Sequence, residues 1–577
     1  MTCSSAPRRP WKVRACPAPD RTCPSPWSRT APRRRRAEPR RTSRAGGDDG
    51  ILPFCHQCGE TMAWNEGYVS DIEYTNGFYS DLSPHHLNFS CILNGIEPVP
   101  LDQPYTYFEL GFGRGQTLNV LAAATPNGRF YGNDFNPAHV AGARALAAKA
   151  QLGNLTLLEN SFEELAQGRV ADLPQFDFIT LHGIYTWVNR ENRQHIVDFI
   201  ARYLKPGGIV SLSYNAMPGW SSALPLQRLL LEFAASFPGR SDMQMQAGIA
   251  YVQQLQNLQA GYIADNPALA PRLNALINSD PHYSVHEYLN QDWEPLYHAD
   301  VMRDVARAKL DFAGSADLPL AFPELYLNAD QQATIDLLPD AARRETMKDY
   351  FLNTSFRKDV LVRGARRMGA VRQAECYADV HLAMLVPRAK MTFTFQTKAG
   401  VVTGNEQVYG AVCDALANGP HSLAELAALP SLPGQSVQSL AEVAAMLVTG
   451  GQVVMYFPSQ AHADSGDAAA RRLNQTVGAQ LRYGDDYRIL CSPLTGSGID
   501  TEFIDRLLFS LLTQEREQPD LATLQAQAAT AMARCGRRLL KDGAACADEA
   551  AHQQLLNAAI EEFMRDTLPV LQQLRVL

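Results

Sequence analysis

No run of about 18 uninterrupted apolar residues occurs in this 577-residue sequence, and no apolar core of about 7 to 15 residues follows its N-terminal arginines. Neither a membrane-spanning helix nor a secretory signal is therefore legible, and a soluble, cytoplasmic protein is the expectation. Cysteine lacks a framework: 11 are scattered, five of them (Cys3, Cys16, Cys23, Cys55, Cys58) in the first 60 residues, which fits reduced thiols rather than disulfides. Only Cys55-His56-Gln57-Cys58 has CxxC spacing, and no second pair stands near to complete the four ligands of a zinc site, so no metal is expected. Net positive charge is missing beyond residue 50. The first 50 residues hold 13 Lys and Arg against 4 Asp and Glu, leaving 39 against 56 for the rest. So acidic a body disfavours a phosphate backbone as partner, because that binding needs Lys and Arg contacts.

What is present divides the chain. Residues 1–61 are rich in Pro, Arg and Ser with almost no Leu or Ile and cannot bury enough surface to fold. They read as an unstructured basic extension, and Met62 as an alternative translation start. From Tyr105, short apolar runs alternate with amphipathic stretches, the pattern of a doubly wound parallel sheet. The strands are TYFEL (106–110), RFYGND (129–134), LTLLE (155–159), FDFITL (176–181) and IVSLSY (209–214). After Trp220 helical patterns run to about Asn278, and LDFAGSADL and RKDVLVRGA then supply two late strands of the same sheet. Beyond about residue 370 the order helix, helix, helix, strand (QVVMYF) resembles a winged-helix unit, and the final hundred residues are mostly helical. The expected organisation is a nucleotide-binding core over 62–220, a helical insertion over 221–370 that completes the sheet, a winged-helix-like domain over 371–475 and a helical domain over 476–577.

The chemistry gathers at ELGFGRGQ, residues 109–116. The glycines Gly111, Gly113 and Gly115 form GxGxG, and Gln116 stands where a dinucleotide fingerprint has its last glycine, which counts against NAD. Glu109 would repel a pyrophosphate but suits a cofactor that carries an ammonium group. Asp134, 19 residues beyond Gly115 at the end of the second strand, has two oxygens for the two hydroxyls of a ribose. After the third strand, Ser161 offers a polar group to an adenine edge and Phe162 a ring to its face.

ELGFGRG resembles the (E/D)xGxGxG motif of class I S-adenosylmethionine-dependent methyltransferases, and GNDFNP their acidic second motif. YTNGFYSDLSPHHL, LHGIYTWV, SYNAMPGW, VHEYLNQDW and FRKDVLVRGARR are similar to bacterial members that carry a methyltransferase regulatory domain, among them rickettsial-type protein lysine methyltransferases. The resemblance implies a Rossmann-like seven-stranded sheet and S-adenosyl-L-methionine as cofactor. It further implies that Glu109, Gly111, Gly113 and Gly115 surround the methionine moiety, Asp134 with Phe135 the ribose, and Ser161 with Phe162 the adenine.

Ligands of doubly wound sheets sit beyond the carboxyl ends of the strands. His182 and Gly183 are thus expected beside the cofactor, Tyr185, Trp187 and Tyr214 along the acceptor channel with Asn215 at its end, and His286, Glu287 and Tyr288 as a wall contributed by the insertion. His182, Tyr185 and Tyr214 are the candidate catalytic residues. Strand four lacks the [DNS]PP[YFW] end that looks like nucleic-acid amino methyltransferases, so the expected partner is a methyl acceptor such as protein lysine, with no nucleic acid and with a homodimer as an option. A small-molecule or glycan acceptor, and a non-catalytic binding protein on the same fold, stay open.

Overall fold

The computed structural model describes residues 11–15, 68–69, 71–72, 76–398, 400–458, 467–514, 519–541, 544–546 and 548–577. Within the basic N-terminal extension, Trp11–Ala15 is a strand antiparallel to Arg537–Lys541. The remainder of that extension, with Cys55 and Cys58, and Met62 just beyond it lie outside the described residues.

The central sheet has seven strands: β1 (Tyr105–Leu110), β2 (Gly128–Asn133), β3 (Leu155–Leu158), β4 (Phe176–Leu181), β5 (Leu204–Asn215), β6 (Leu310–Ser315) and β7 (Phe356–Arg363). Their order is β3-β2-β1-β4-β5-β7-β6, with β7 antiparallel to both neighbours and the others parallel where they pair. Tyr107, Phe108, Leu110, Phe130, Phe178, Ile179 and Leu181 are all fully buried, as strands covered on both faces require. The covering helices include α1 (Pro84–Leu93), α2 (Gln116–Ala124), α3 (Pro137–Ala150), α4 (Phe162–Gln167) and α5 (Arg190–Tyr203). Asn136 caps α3 by accepting from the Ala138 amide at 2.9 Å, with Pro137 in the first turn, and Asn189 caps α5 likewise.

The order reverses at β1, between β2 on one side and β4 on the other, and there a crevice opens at the strands' carboxyl ends. Between β5 and β6 the chain inserts helices Leu224–Ala235, Ser241–Asn257, Ala270–Asn278 and Pro281–Tyr288, with their own apolar centre where Trp220 and Trp293 meet edge to face at 4.6 Å. Helix His298–Val305 returns the chain to the sheet, and Ala341–Leu352 lies between β6 and β7. Beneath the sheet, Arg357 on β7 reaches Asp359 and Asp349 at 2.8 Å each, and Asp359 also meets Tyr214 at 2.7 Å and His298 at 2.9 Å. Burial works against the Asp359 carboxylate, but Arg357 and His298 hold its pKa well below the usual range.

Farther along, His381–Met384 is the middle strand of a three-stranded antiparallel sheet with His421–Ser422 and Val453–Tyr456. Helices Glu406–Leu416, Leu423–Ala427 and Val437–Thr449 pack on it, which gives the winged-helix-like texture its geometry. Strand His381–Met384 was not foreseen. Helix Asp467–Gln480 runs across the boundary drawn at residue 475 and packs with Ile489 and Cys491 against Val120, Ala123 and Ala124 of α2 and Leu146 and Ala150 of α3. Among the described residues no helix is long and apolar enough to cross a membrane.

Candidate cofactor and acceptor site

Glu109 is the fifth residue of β1, paired with Gly132 of β2 and Thr180 of β4, so it stands one residue from the carboxyl end of the strand at which the order reverses. It is 3% exposed, and its Oε2 has no hydrogen-bond partner among the described residues. Burial, and then the nearby Asp134 charge, push its pKa up to about 8. A carboxyl in that state is mostly protonated at neutral pH, and a cation placed against it would favour its ionised form.

The loop after β1 turns on three residues with positive φ, Gly111 (68°), Gly113 (57°) and Gly115 (73°). Each stands in the left-handed region that glycine adopts without strain. The flanking two are also crowded: an added Cβ would lie 2.5 Å from Ile184 at Gly111 and 2.6 Å from Ala143 at Gly115. At Gly113 it would meet nothing within 4 Å, so the backbone there borders open space.

Asp134 braces that loop. Its Oδ2 accepts from the Gly113 amide at 2.8 Å and its Oδ1 from the Asn136 amide at 2.9 Å, with His139 Nδ1 3.2 Å away. A carboxylate has about four acceptor positions, so capacity remains for ligand hydroxyls. Asn133 and Asn160 lock the ends of β2 and β3 together through reciprocal bonds of 2.8 and 2.9 Å. Next in the chain, Ser161 caps α4: its hydroxyl accepts from the Glu164 amide at 3.1 Å while the Glu164 side chain accepts from its backbone, and Phe162 rests half-buried on the core. The Ser161 hydroxyl is thus engaged in helix capping.

At the end of β4, the His182 ring lies 3.8 Å from that of Tyr79, and its Nδ1 is 3.2 Å from Ser213 Oγ. Burial lowers its pKa to about 4, against the attraction of Asp81. Gly183 (φ 66°) donates to the same Ser213 hydroxyl at 2.9 Å, and Trp187 covers it so closely that a Cβ would sit 2.5 Å from the indole.

Tyr185 and Tyr214 depart from the channel role expected of them. Both are fully buried in the core that packs α5 and helix His298–Val305, with their hydroxyls on Asp304 at 3.3 Å and Asp359 at 2.7 Å. The reason for Tyr214 is the period of two along β5: Ser213 and Asn215 point to one face and Tyr214 to the other. Ser213, missed from the sequence, was readable by that alternation. Trp187 packs on the insertion's apolar centre.

The insertion closes the crevice from the opposite wall. On helix Pro281–Tyr288, Tyr288 turns into the insertion's core, whereas Tyr283 and Glu287 stand one turn apart, each acting on the other's titration. Tyr68 bridges the two walls, its ring 5.6 Å from Phe135 and 5.5 Å from His286, and it feels the charges of Asp134 and Glu287. Tyr79, whose ring lies on His182, also acts electrostatically on Tyr283. Burial raises the Glu287 pKa to about 7, with the neighbouring Tyr283 hydroxyl working against the rise. Tyr79 and Tyr283 escaped the sequence reading; an i, i+4 pairing with Glu287 was the signal for Tyr283.

The site therefore combines a glycine turn bordering open space, an unpaired buried carboxyl, a second carboxylate with acceptor positions to spare, and an aromatic wall. These features fit a nucleoside that carries an amino acid and a positive charge.

Comparisons with known proteins agree. Residues 108–208 match the family described as "Methyltransferase domain" and residues 280–363 the "Predicted methyltransferase regulatory domain". The second span includes both the Glu287 helix and β6 and β7. An uncharacterized protein of Synechocystis sp. is 35% identical over 515 residues, 89% of this chain and all of that one. An uncharacterized protein of Rickettsia prowazekii is 24% identical over 304 residues, 52% of this chain and 53% of its own length. Among solved structures, PKMT2 from Rickettsia typhi in complex with AdoHcy superposes with a TM-score of 0.62 at 16% identity, covering 87% of this chain and 99% of that one.

Proposed function

Because the chain belongs to the class I S-adenosylmethionine-dependent methyltransferases that carry a methyltransferase regulatory domain, we propose that it methylates the side-chain amine of protein lysine. S-adenosylmethionine, when bound, supplies a methyl group activated by a sulfonium, whose bonding electrons return to sulfur as the methyl leaves. In this reading Glu109 and the Gly111–Gly115 loop hold the amino-acid end, and Asp134, already bracing the loop through Gly113, accepts from the ribose hydroxyls. Phe135 lies beside the ribose, and Phe162 flanks the adenine while Ser161 fixes the helix that presents it. His182, kept neutral by burial and fixed by Ser213, borders the acceptor side with Gly183 and Tyr79.

Alignment and exclusion of water are what the protein contributes to such a displacement. The observation that carries the amine reading is the cluster of Tyr68, Tyr79 and Tyr283 with the partly buried Glu287 carboxyl, beside Phe135 and His182: rings and a carboxyl group attract an ammonium and desolvate it. The likeness to PKMT2 in fold supports the same acceptor class. A non-catalytic scaffold would have no use for Glu109, whose buried, unpartnered oxygen costs stability unless a ligand meets it. The described cysteines, Cys91, Cys376, Cys413, Cys491, Cys535 and Cys546, are all free, which supports action in the reducing cytoplasm.

Radiolabelled methyl transfer into lysate of the source organism tests the reading. Label should enter the protein fraction and appear as methylated lysine after acid hydrolysis; label confined to small-molecule or glycan fractions overturns it.

A further inference from the structure

We infer that Lys398, carried by the winged-helix-like unit, is a positioning residue for methyl transfer: by neutralising Asp317 it leaves Lys358 to pair with Asp81, and so keeps the surroundings of His182 in place. The inference rests on the reading above that His182 borders the acceptor, and it gives the C-terminal region a part in the reaction.

The residues FRKDVLVR alternate along β7, so Phe356 and Lys358 share one face of the sheet while Arg357 and Asp359 share the other. In the ladder with β5, Phe356 stands opposite Asn215 and Lys358 opposite Ser213, whose hydroxyl lies 3.2 Å from His182 Nδ1. The Phe356 ring meets that of His182 edge to face at 5.8 Å, and the Tyr79 ring lies on it at 3.8 Å. Two residues beyond Tyr79, in the short turn Ser80–Leu82, Asp81 receives the Lys358 ammonium at 2.6 Å. Two rings, a hydroxyl and an ion pair thus surround the imidazole.

Asp317, two residues past the end of β6, competes for the same lysine, whose Nζ is 3.8 Å away. A third element settles the competition. Strands Thr394–Thr397 and Gly400–Thr403 form a hairpin anchored in the winged-helix-like core by Phe395, which is 2% exposed and 5.5 Å from the Tyr409 ring. At the hairpin's turn Lys398 pairs with Asp317 and donates to the Phe356 carbonyl at 2.8 Å. His86 on α1, the other titratable group of the cluster, is held on the Ala316 carbonyl at 2.7 Å. Charges therefore alternate from the hairpin to the site: Lys398, Asp317, Lys358, Asp81. Without Lys398, the Asp317 carboxylate draws Lys358 toward itself through partly dry surroundings. Asp81 is then left bare beside the acceptor, where it holds an incoming ammonium away from the methyl group. The four side chains are 13 to 32% exposed, so the pairs contribute little to overall stability, and their effect on the reaction can be read apart from folding.

The test uses the full chain, with NMR of isotope-labelled histidine, the His182 signals being identified by their loss in His182→Asn, and with methyl transfer to a pentalysine peptide. In Lys398→Met the His182 ring signals should shift and kcat should fall at least tenfold, since a displacement of about 1 Å can cost about a hundredfold. The KM for S-adenosylmethionine and the thermal midpoint should hold, and Lys398→Arg should keep both the signals and kcat. Adding Asp317→Asn to Lys398→Met should return the His182 signals and most of kcat, because nothing then competes for Lys358. A merely structural contact between hairpin and sheet gives no such rescue. Wild-type signals and kcat in Lys398→Met, or a double variant no better than the single one, overturn the inference and leave the amine reading standing. A wild type that leaves the peptide unmethylated, while the His182 shift and its reversal persist, overturns the amine reading alone.

Discussion

The proposed contact between Glu109 and the cofactor's ammonium makes affinity depend on pH in a way that can be worked out in advance. Burial and Asp134 raise its pKa to about 8, so without ligand the carboxyl is mostly protonated at neutral pH. The ammonium of S-adenosylhomocysteine, placed against it, favours the ionised form and lowers that pKa, so binding must expel a proton. Ionised Glu109 amounts to roughly 1% of the protein at pH 6 and roughly a quarter at pH 7.5, and affinity follows that fraction. The expected gain between the two pH values is therefore roughly twenty-fold, or about 2 kcal/mol. Titration calorimetry at pH 7 in buffers of different ionisation enthalpy should register release of about 0.9 proton per ligand bound. In Glu109→Gln both the slope and the proton vanish, and affinity at pH 7.5 falls. An affinity independent of pH in wild type, or a slope that survives in the Gln variant, would refute the reasoning. His139 and Glu287 are present in both proteins, so the comparison isolates Glu109.

Asp134→Ala removes the brace on Gly113 and the proposed ribose acceptor together; S-adenosylhomocysteine affinity should drop at least a hundred-fold, about 3 kcal/mol, and a loss under fivefold counts against the assignment. Arg357→Ala leaves Asp349 and Asp359 buried without their cation, which should cost about 3 to 5 kcal/mol and lower the thermal midpoint of the sheet-bearing part of the molecule; an unchanged midpoint speaks against the network's importance. Tyr185→Phe gives up only a 3.3 Å bond to the exposed Asp304 at the edge of the core, so turnover on a lysine peptide should stay within about twofold, and a tenfold fall would return Tyr185 to the acceptor channel.

The sheet was legible because its strands are short apolar runs separated by turn residues, and the helix at Gln116–Ala124 stands where its pattern put it. The glycine turn and its two carboxylates were legible for a related reason: Glu109, Gly111, Gly113, Gly115 and Asp134 are neighbours in space because they are neighbours at strand ends, a relation that short-range spacing encodes. The aromatic wall was not, since Tyr68 and Tyr79 lie about two hundred residues from Tyr283, brought together by an insertion whose fold no local pattern specifies. Tyr185 and Tyr214 misled because an aromatic residue at a strand end can face either the crevice or the core. Strand alternation and the partners Asp304 and Asp359 decide between them, and only the first is written in the sequence.

The outer flank of α2, immediately behind the glycine turn, is covered by residues that the ribosome adds some 350 positions later: Cys491 reaches the Val120 carbonyl, and Ala470, Leu473 and Ile489 seal Ala123 and Ala124. Vectorial synthesis therefore leaves that apolar strip bare while most of the polypeptide is still being made. The nucleotide pocket gains its rear support only when the final fifth of the message has been read, so ligand capture and completion of the chain are tied to one another in time.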